Sequence, residues 1–342
     1  MDDVKPLERT RMIRWILVAL LAFAAPQACL AWNDTGHMTV ALIAYRQLDD
    51  AHRQKVDAVL KAHPHYALFL AEDRAKGVNE GEWAFMRAAV WPDYVRPSRP
   101  GTPDELFKGR DITRYHHGDW HYIDIPWVYP LDRAAIDPTT RPARSATRPT
   151  ENILTALQQN SGLLGGDETD PADRAVALAW LEHLTGDLHQ PLHACGAYSA
   201  EFPSGDRGGG ERAVRANGNV MRLHVFWDES IGNSDAHLAV DFIARQIAED
   251  PQLAREKLTE LSSDATFSTW AQESHELAIA LAHLNGRLKS VPYSAYESKK
   301  ISDDAVPPLP PSYLLNAHDV ARRRVAIAGY RLADEITRLV KP

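Results

Sequence analysis

DPADRAVALAWLEHLTGDLHQPLHA, residues 170–194, carries its own helix start and stop signals. Asp170 is an N-cap residue and Pro171 suits the first helical position, where its missing N–H is not needed. The apolar residues that follow recur at helical spacing, and Pro191 ends or bends the helix. Within it His183 and Asp187 stand at i and i+4, so both side chains leave one face and can close on a common metal ion. His193, beyond the proline, is released from that helical phase and can reach a neighbouring site.

The same periodicity recurs outward from this segment. MTVALIAYRQL after His37, ESHELAIALAHL at 273–284 and AHDVARRRVAIAGYRLADEITRLV at 317–340 are helical, the last long enough for about six turns. Strand candidates are few: WHYIDIPWVY at 120–129, with His121 inside it, and RAVRANGNVMRLHV at 212–225, with Asn217-Gly218 as a hairpin turn. The expected fold is all-α, a single mainly helical domain with a small β-hairpin excursion. Proline-rich stretches at 97–119 and 130–150 flank His121 and read as surface loops, and 303–313 as an extended connector before the last helix.

The 342 residues are 44% hydrophobic and 25% charged, an ordinary globular composition that excludes disordered and collagenous classes. Arg9, Arg11 and Arg14 precede the apolar run Trp15–Ala25, which leads to Cys29-Leu30-Ala31 with small residues at both cleavage positions. That is the pattern of a secretory signal peptide cut after Ala31, and Met12 makes a better start for it than the acidic residues ahead. Eleven apolar residues fall short of the roughly 20 that span a bilayer, so no stable membrane anchor is expected. The expected division is a signal peptide, 1–31, and a catalytic domain, 32–342, with Trp32 as the new first residue in the periplasm or outside the cell. Removal leaves Cys195 as the sole cysteine, so no intramolecular disulfide can form and metal is the obvious stabiliser. The formal charge of −8, one unit more negative after removal, argues against a plain basic clamp for nucleic acid unless bound cations supply the charge.

A second i, i+4 pair, His224 and Asp228, encloses Val-Phe-Trp, too apolar for an exposed face. Two His-x-x-x-Asp pairs, one trailed by His189 and His193, are a metal-binding pattern. His121 and Asp93, in Trp-Pro-Asp at 91–93, carry little weight singly.

Together these segments resemble a known family. WNDTGHMTVALIAY from Trp32, WPDYVR, WHYID, HLTGDLHQPLHA and RLHVFWD stand in the order found in the single-strand-specific zinc nucleases, which include mung bean nuclease and are related to zinc-dependent phospholipase C. The resemblance runs from Trp32 to AGYRLADEI, and GDLHQPLH is highly specific. It implies a mainly helical fold with a cleft holding three Zn2+ ions.

Position by position, it implies that Asp93, His121, His183 and Asp187 bind one zinc. The amine and carbonyl of Trp32, with His37 and the second oxygen of Asp187, bind another, so that Asp187 bridges the pair. His193, His224 and Asp228 hold the third. Imidazoles and carboxylates suit zinc, and activated water serves as nucleophile, so no Ser, Thr or Cys is required. Cys195 reads as a small buried residue. Arg96 matches an arginine that stabilises phosphoryl charge and is placed with Asp93 and Asp187 in the catalytic set. Tyr122 matches a base-stacking ring and Asp124 a recognition carboxylate; stacking on an unpaired base gives a physical reason to prefer single strands.

Three divalent ions against three aspartates leave positive charge for a phosphate, which answers the objection from the acidic net charge. The implied substrates are single-stranded DNA, RNA and 3′-nucleotides, cut to 5′-phosphorylated products by a monomer with no protein partner. The chain departs from the family at Gly210, where asparagine is usual, at Arg222, where a small polar residue is usual, and in the long separation of Asp93 and His121. These changes bear on substrate preference. A phospholipase C remains the rival on the same metal architecture, although the short Trp32–His37 spacing and Asp228 in place of Glu favour a nuclease; a periplasmic zinc-binding protein is the alternative outside enzymes.

Overall fold

A computed structural model describes residues 32–96, 107, 112–140, 151–261 and 266–341. The expected leader, most of the first proline-rich loop and residues 141–150 of the second lie outside the described residues. The helices are α1 (Asp34–Gln47), α2 (Asp50–Lys61), α3 (Glu80–Ala88), α4 (Trp91–Tyr94), α5 (Ile153–Gly165), α6 (Pro171–His189), α7 (Leu223–Asp228), α8 (His237–Ala248), α9 (Phe267–Leu277), α10 (Tyr293–Glu297) and α11 (Pro311–Leu339). Among the described residues there are also five short strands, β1 (Pro126–Val128), β2 (Gly196–Tyr198), β3 (Arg212–Ala216), β4 (Asn219–Arg222) and β5 (Val291–Pro292), and several short 3-10 and π turns. The mainly helical class expected from the sequence is the one observed.

Two helices form the centre, buried on every side over most of their length. In α1 every residue from Thr35 to Tyr45 is buried, and in α6 every residue from Ala177 to His189. A helix with apolar residues on every side must be covered on all sides, and its few polar side chains must then be paired within the interior. Accordingly α1 packs on α3, α6, α8 and α11, and α6 packs on α1, α5, α9 and α11. These two central helices carry His37, His183 and Asp187.

Capping agrees with the sequence. Asp170 accepts the Ala172 N–H at the start of α6, and Asn33 accepts the Gly36 N–H at the start of α1, which places His37 in the first turn. At the other end of α6, buried Arg324 donates from Nε to the His189 carbonyl (3.1 Å). A cation there complements the helix dipole. Glu273 accepts from Arg324 at 2.8 Å and from Arg331 at 2.7 Å, tying α6, α9 and α11 together where α6 delivers its ligand candidates.

Some elements differ from expectation. Residues 120–129 do not form one strand: His121 ends a 3-10 turn, Gly118–His121, and ladder pairing is confined to Pro126–Val128, parallel to β2. The intervening chain is extended and tied to its neighbour through Ile123 N–H to the His193 carbonyl (2.8 Å). The 212–225 segment makes the expected antiparallel hairpin, with positive φ at Asn217 and Gly218, but it turns helical at Leu223. The 303–313 connector gives way to α11 already at Pro311, making that helix 29 residues long. The sequence pattern does not announce α2, α3, α4, α5, α8 or α10; α2 buries only His52, Val56 and Leu60, a narrow stripe in a charged sequence. No helix among the described residues is long and apolar enough to cross a membrane.

Candidate metal centre

Eight residues from separate segments meet in three buried groups: His37, His183 and Asp187; Asp93, His121 and His183; and His193, His224 and Asp228. Within each group the candidate ligand atoms lie within 4.8 Å of one another. α1 and α6 supply the first group. The second adds Asp93 from the proline-started turn of α4 and His121 from its 3-10 turn. The third takes His193 from the 3-10 turn Pro191–Ala194, freed from helical phase by Pro191, and the i, i+4 pair from α7.

The first two groups share His183, and Asp187 reaches into both, its two oxygens facing different ways. Oδ1 lies 3.2 Å from His37 Nε2; Oδ2 lies 3.0 Å from His121 Nδ1 and 3.2 Å from His183 Nε2. Asp93 Oδ1 approaches the same two imidazole atoms at 4.0 and 3.9 Å. The His37 and His183 rings stack with centroids 4.0 Å apart. Gly186 makes this approach possible, because a Cβ there would stand 2.7 Å from His37 Nδ1.

Backbone carbonyls fix the tautomers. Nδ1 of His183 meets Ala89 O at 2.8 Å, Nδ1 of His193 meets His121 O at 2.6 Å and Nδ1 of His224 meets Gly208 O at 2.7 Å. A carbonyl only accepts, so each Nδ1 carries the hydrogen and each neutral ring turns the Nε2 lone pair inward. His193 Nε2 and His224 Nε2 are then two acceptors 3.1 Å apart, with Asp228 Oδ2 3.6 Å from the latter. Such a pair repels unless a cation lies between them.

The charge environment agrees. Burial, followed by the nearby Arg96 charge, lowers the His121 pKa to about 4, and burial lowers that of His193 to about 4, so both offer neutral imidazole donors at pH 7. Burial works against an ionised Asp187, but His183, His121 and His37 hold its carboxyl well below the usual range. Burial pushes Asp228 well up. Both ring nitrogens of His37, Nε2 of His121, Oδ1 of Asp187 and Oδ2 of Asp228 are buried with no hydrogen-bond partner among the described residues. Buried carboxylate oxygens and imidazole lone pairs without donors are costly as protein alone and fit metal cations.

The remaining candidates take their places around these groups. Trp32 is fully buried, and the next residue's N–H reaches the Asp228 carbonyl (3.4 Å). Arg96 is buried, with Nη2 3.0 Å from Asp93 Oδ1. Tyr122 and Asp124 are half-buried and lie outside the three groups; the Tyr122 hydroxyl donates to Asp119 (3.1 Å). Cys195 is buried in apolar surroundings and its thiol pKa is raised by burial. His189 is structural, with Nδ1 on the Thr185 carbonyl (2.7 Å) and Nε2 2.9 Å from Arg331 Nη1.

Sequence reasoning missed Gln190. Its amide nitrogen donates to Asp228 Oδ1 (2.7 Å), which orients Oδ2 toward His224, and its oxygen accepts the Leu192 N–H (2.5 Å). Its position before Pro191, as cap of the next turn, was the available signal. The Asp206–Arg212 ion pair, 2.5 Å and fully buried, was also missed; it anchors the glycine-rich loop that presents Gly208 to His224. A cavity of about 350 Å³ beside Tyr45, Asp57 and Glu82 lies among none of these residues, so convergent donors rather than open volume mark this site.

The S1/P1 Nuclease family model matches residues 32–341. Endonuclease 4 of Arabidopsis thaliana is 24% identical over 345 residues, covering 95% of each chain. Endonuclease 3 of the same plant is 24% identical over 335 residues, covering 95% of this chain and 94% of its own. S1/P1 nucleases depend on metal, which is what the buried imidazole and carboxylate donors require. From the first described residue to the end of its last helix, this chain belongs to the S1/P1 nuclease family.

Proposed function

We propose that the chain is a zinc-dependent endonuclease that hydrolyses RNA and single-stranded DNA to 5′-phosphorylated products and also removes phosphate from 3′-nucleotides. The observation that carries this reading is the splayed carboxylate of Asp187, one oxygen toward His37 and the other toward His121 and His183. It suits a bridge between two cations, with a third held by His193, His224 and Asp228. The amine and carbonyl of Trp32 complete the bridged pair once a leader ending at Ala31 has been removed, which places the protein in the periplasm or outside the cell.

When bound, zinc supplies a Lewis acid for the phosphoryl oxygens and an activated water at neutral pH. The chain's own residues do the rest. Asp93, Asp187 and Asp228 offset cation repulsion. Arg96, steadied by Asp93, holds charge that builds on the phosphoryl group. Tyr122 stacks a base and Asp124 helps read it; a paired base must first leave its stack, so duplex is a poor substrate.

Incubating the processed protein separately with single-stranded DNA, RNA and phosphatidylcholine tests this. Cleavage of both nucleic acids with 5′-phosphate ends is expected. Exclusive lipid hydrolysis, or 3′-phosphate ends, overturns it.

A further inference from the structure

Arg222 closes β4 and forms the N-cap position of α7, two residues ahead of His224. Its guanidinium lies over the Tyr293 ring with the central carbon 4.0 Å from the centroid, and Nη1 donates to the Gly210 carbonyl (3.2 Å). Gly210 belongs to the loop whose Gly208 carbonyl orients His224, so the 222–224 segment grips this loop at two points. The two sequence departures noted in this region therefore touch through that hydrogen bond.

The electrostatic partner is what the arginine lacks. Among the described residues no carboxylate pairs with Arg222, and its Nε–H has no acceptor. Glu211, close in sequence, is 3.3 Å from Arg207 instead. With Nη1 spent on a carbonyl and Nε buried, Nη2 is the N–H group left to donate to a phosphate oxygen, a charge-assisted hydrogen bond. Tyr293 fixes the plane of the fork, its N–H is held by the Glu211 carbonyl (2.7 Å), and half-buried Tyr296 stands beside it at a centroid distance of 5.9 Å. A rigid cation with aromatic rings is a common surface for tracking a single strand.

We propose that Arg222, backed by Tyr293, docks a backbone phosphate of the single-stranded substrate outside the cleaved linkage, on the side of the His193–His224–Asp228 group. The inference rests on the nuclease reading and adds a length-dependent subsite to it. A twelve-nucleotide strand reaches Arg222, whereas a dinucleotide does not.

The test compares the zinc-loaded protein with Arg222→Gln, Arg222→Lys and Tyr293→Leu, using twelve-nucleotide oligo(dT) and a dinucleotide, with zinc per chain measured for each. Arg222→Gln should raise KM for the long strand about five- to tenfold, against less than about twofold for the dinucleotide. The salt dependence of kcat/KM on the long strand should fall by about 0.7 in log–log slope, the loss of one phosphate contact. Arg222→Lys should restore that slope but not the full affinity. Tyr293→Leu should weaken the long strand in the same selective way. An unchanged KM and slope for Arg222→Gln overturns the subsite. So does an equal effect on both substrates or a loss of zinc, which makes Arg222 a loop anchor. A wild-type protein that cuts neither substrate overturns the nuclease reading itself, whereas variants matching an active wild type overturn the subsite alone.

Discussion

Gly208→Ala isolates the contribution of a single carbonyl to the third ligand group. Gly208 has φ +60°, and a Cβ built there stands 2.6 Å from the Leu192 carbonyl oxygen and 3.3 Å from His224 Nδ1. The left-handed conformation costs a non-glycine residue about 1–2 kcal/mol. The contact with backbone oxygen cannot be relieved by a rotamer change, so the loop must move by about half an ångström or more, enough to stretch the 2.7 Å bond to His224 past the usual limit of about 3.2 Å. Losing the group that orients a metal-bound imidazole lowers metal affinity about 10- to 100-fold, or about 1.4–2.7 kcal/mol. Titration against a competing chelator should show one site weakened by that factor, with a lower melting temperature. Gly218→Ala is the control: its φ is +84° but nothing lies within 4 Å of the added carbon, so it should lose about 1 kcal/mol of stability and no zinc affinity. If the two variants bind zinc alike, the Gly208 carbonyl does not hold His224 and the reasoning fails.

Three further outcomes follow. Asp187→Asn should lose zinc and most turnover, because the bridged pair needs that charge, whereas Asp124→Asn should keep its zinc and mainly weaken substrate binding; metal analysis of an Asp187→Asn protein with full zinc and normal rate would refute the bridge. Any residue left ahead of Trp32 converts its amine to an amide, whose lone pair is delocalised, so a protein beginning Met-Trp32 should hold fewer zinc ions and lose most activity; equal zinc and turnover in both forms would remove that ligand. Chelated protein should lose stability as pH falls from about 6.5 toward 4, since burial lowers the pKa of His283 to about 4 and, with a smaller effect of His65, that of His63 to about 3. These rings stay neutral in the fold while the unfolded chain takes up protons, so stability present above pH 6.5 drains away on acidification; a melting temperature flat across that interval would contradict the assignment.

The parts of this site legible in sequence are those written in local spacing. His183–Asp187 and His224–Asp228 show themselves through helical period, and Pro191 announces that His193 leaves it. His37, Asp93 and His121 gained weight only from family resemblance, because what gathers them is contact across the fold. His193 Nδ1, for example, reaches a carbonyl 72 residues away. The groups that orient the ligands were illegible for the same reason. Ala89, His121 and Gly208 act through main-chain oxygens, which no side-chain pattern reports. The aromatic and β-branched residues at 120–129 have strand propensity, yet pairing partners exist only beside Pro126–Val128, so tertiary context shortened the strand.

Zinc content measured beside turnover, in processed protein that begins at Trp32, tests the central claim most directly. The account predicts three zinc ions per chain, one for each buried group, with cleavage of single-stranded DNA abolished by a chelator and restored by zinc alone. Full turnover in protein stripped of metal, or with a single zinc per chain, would contradict it.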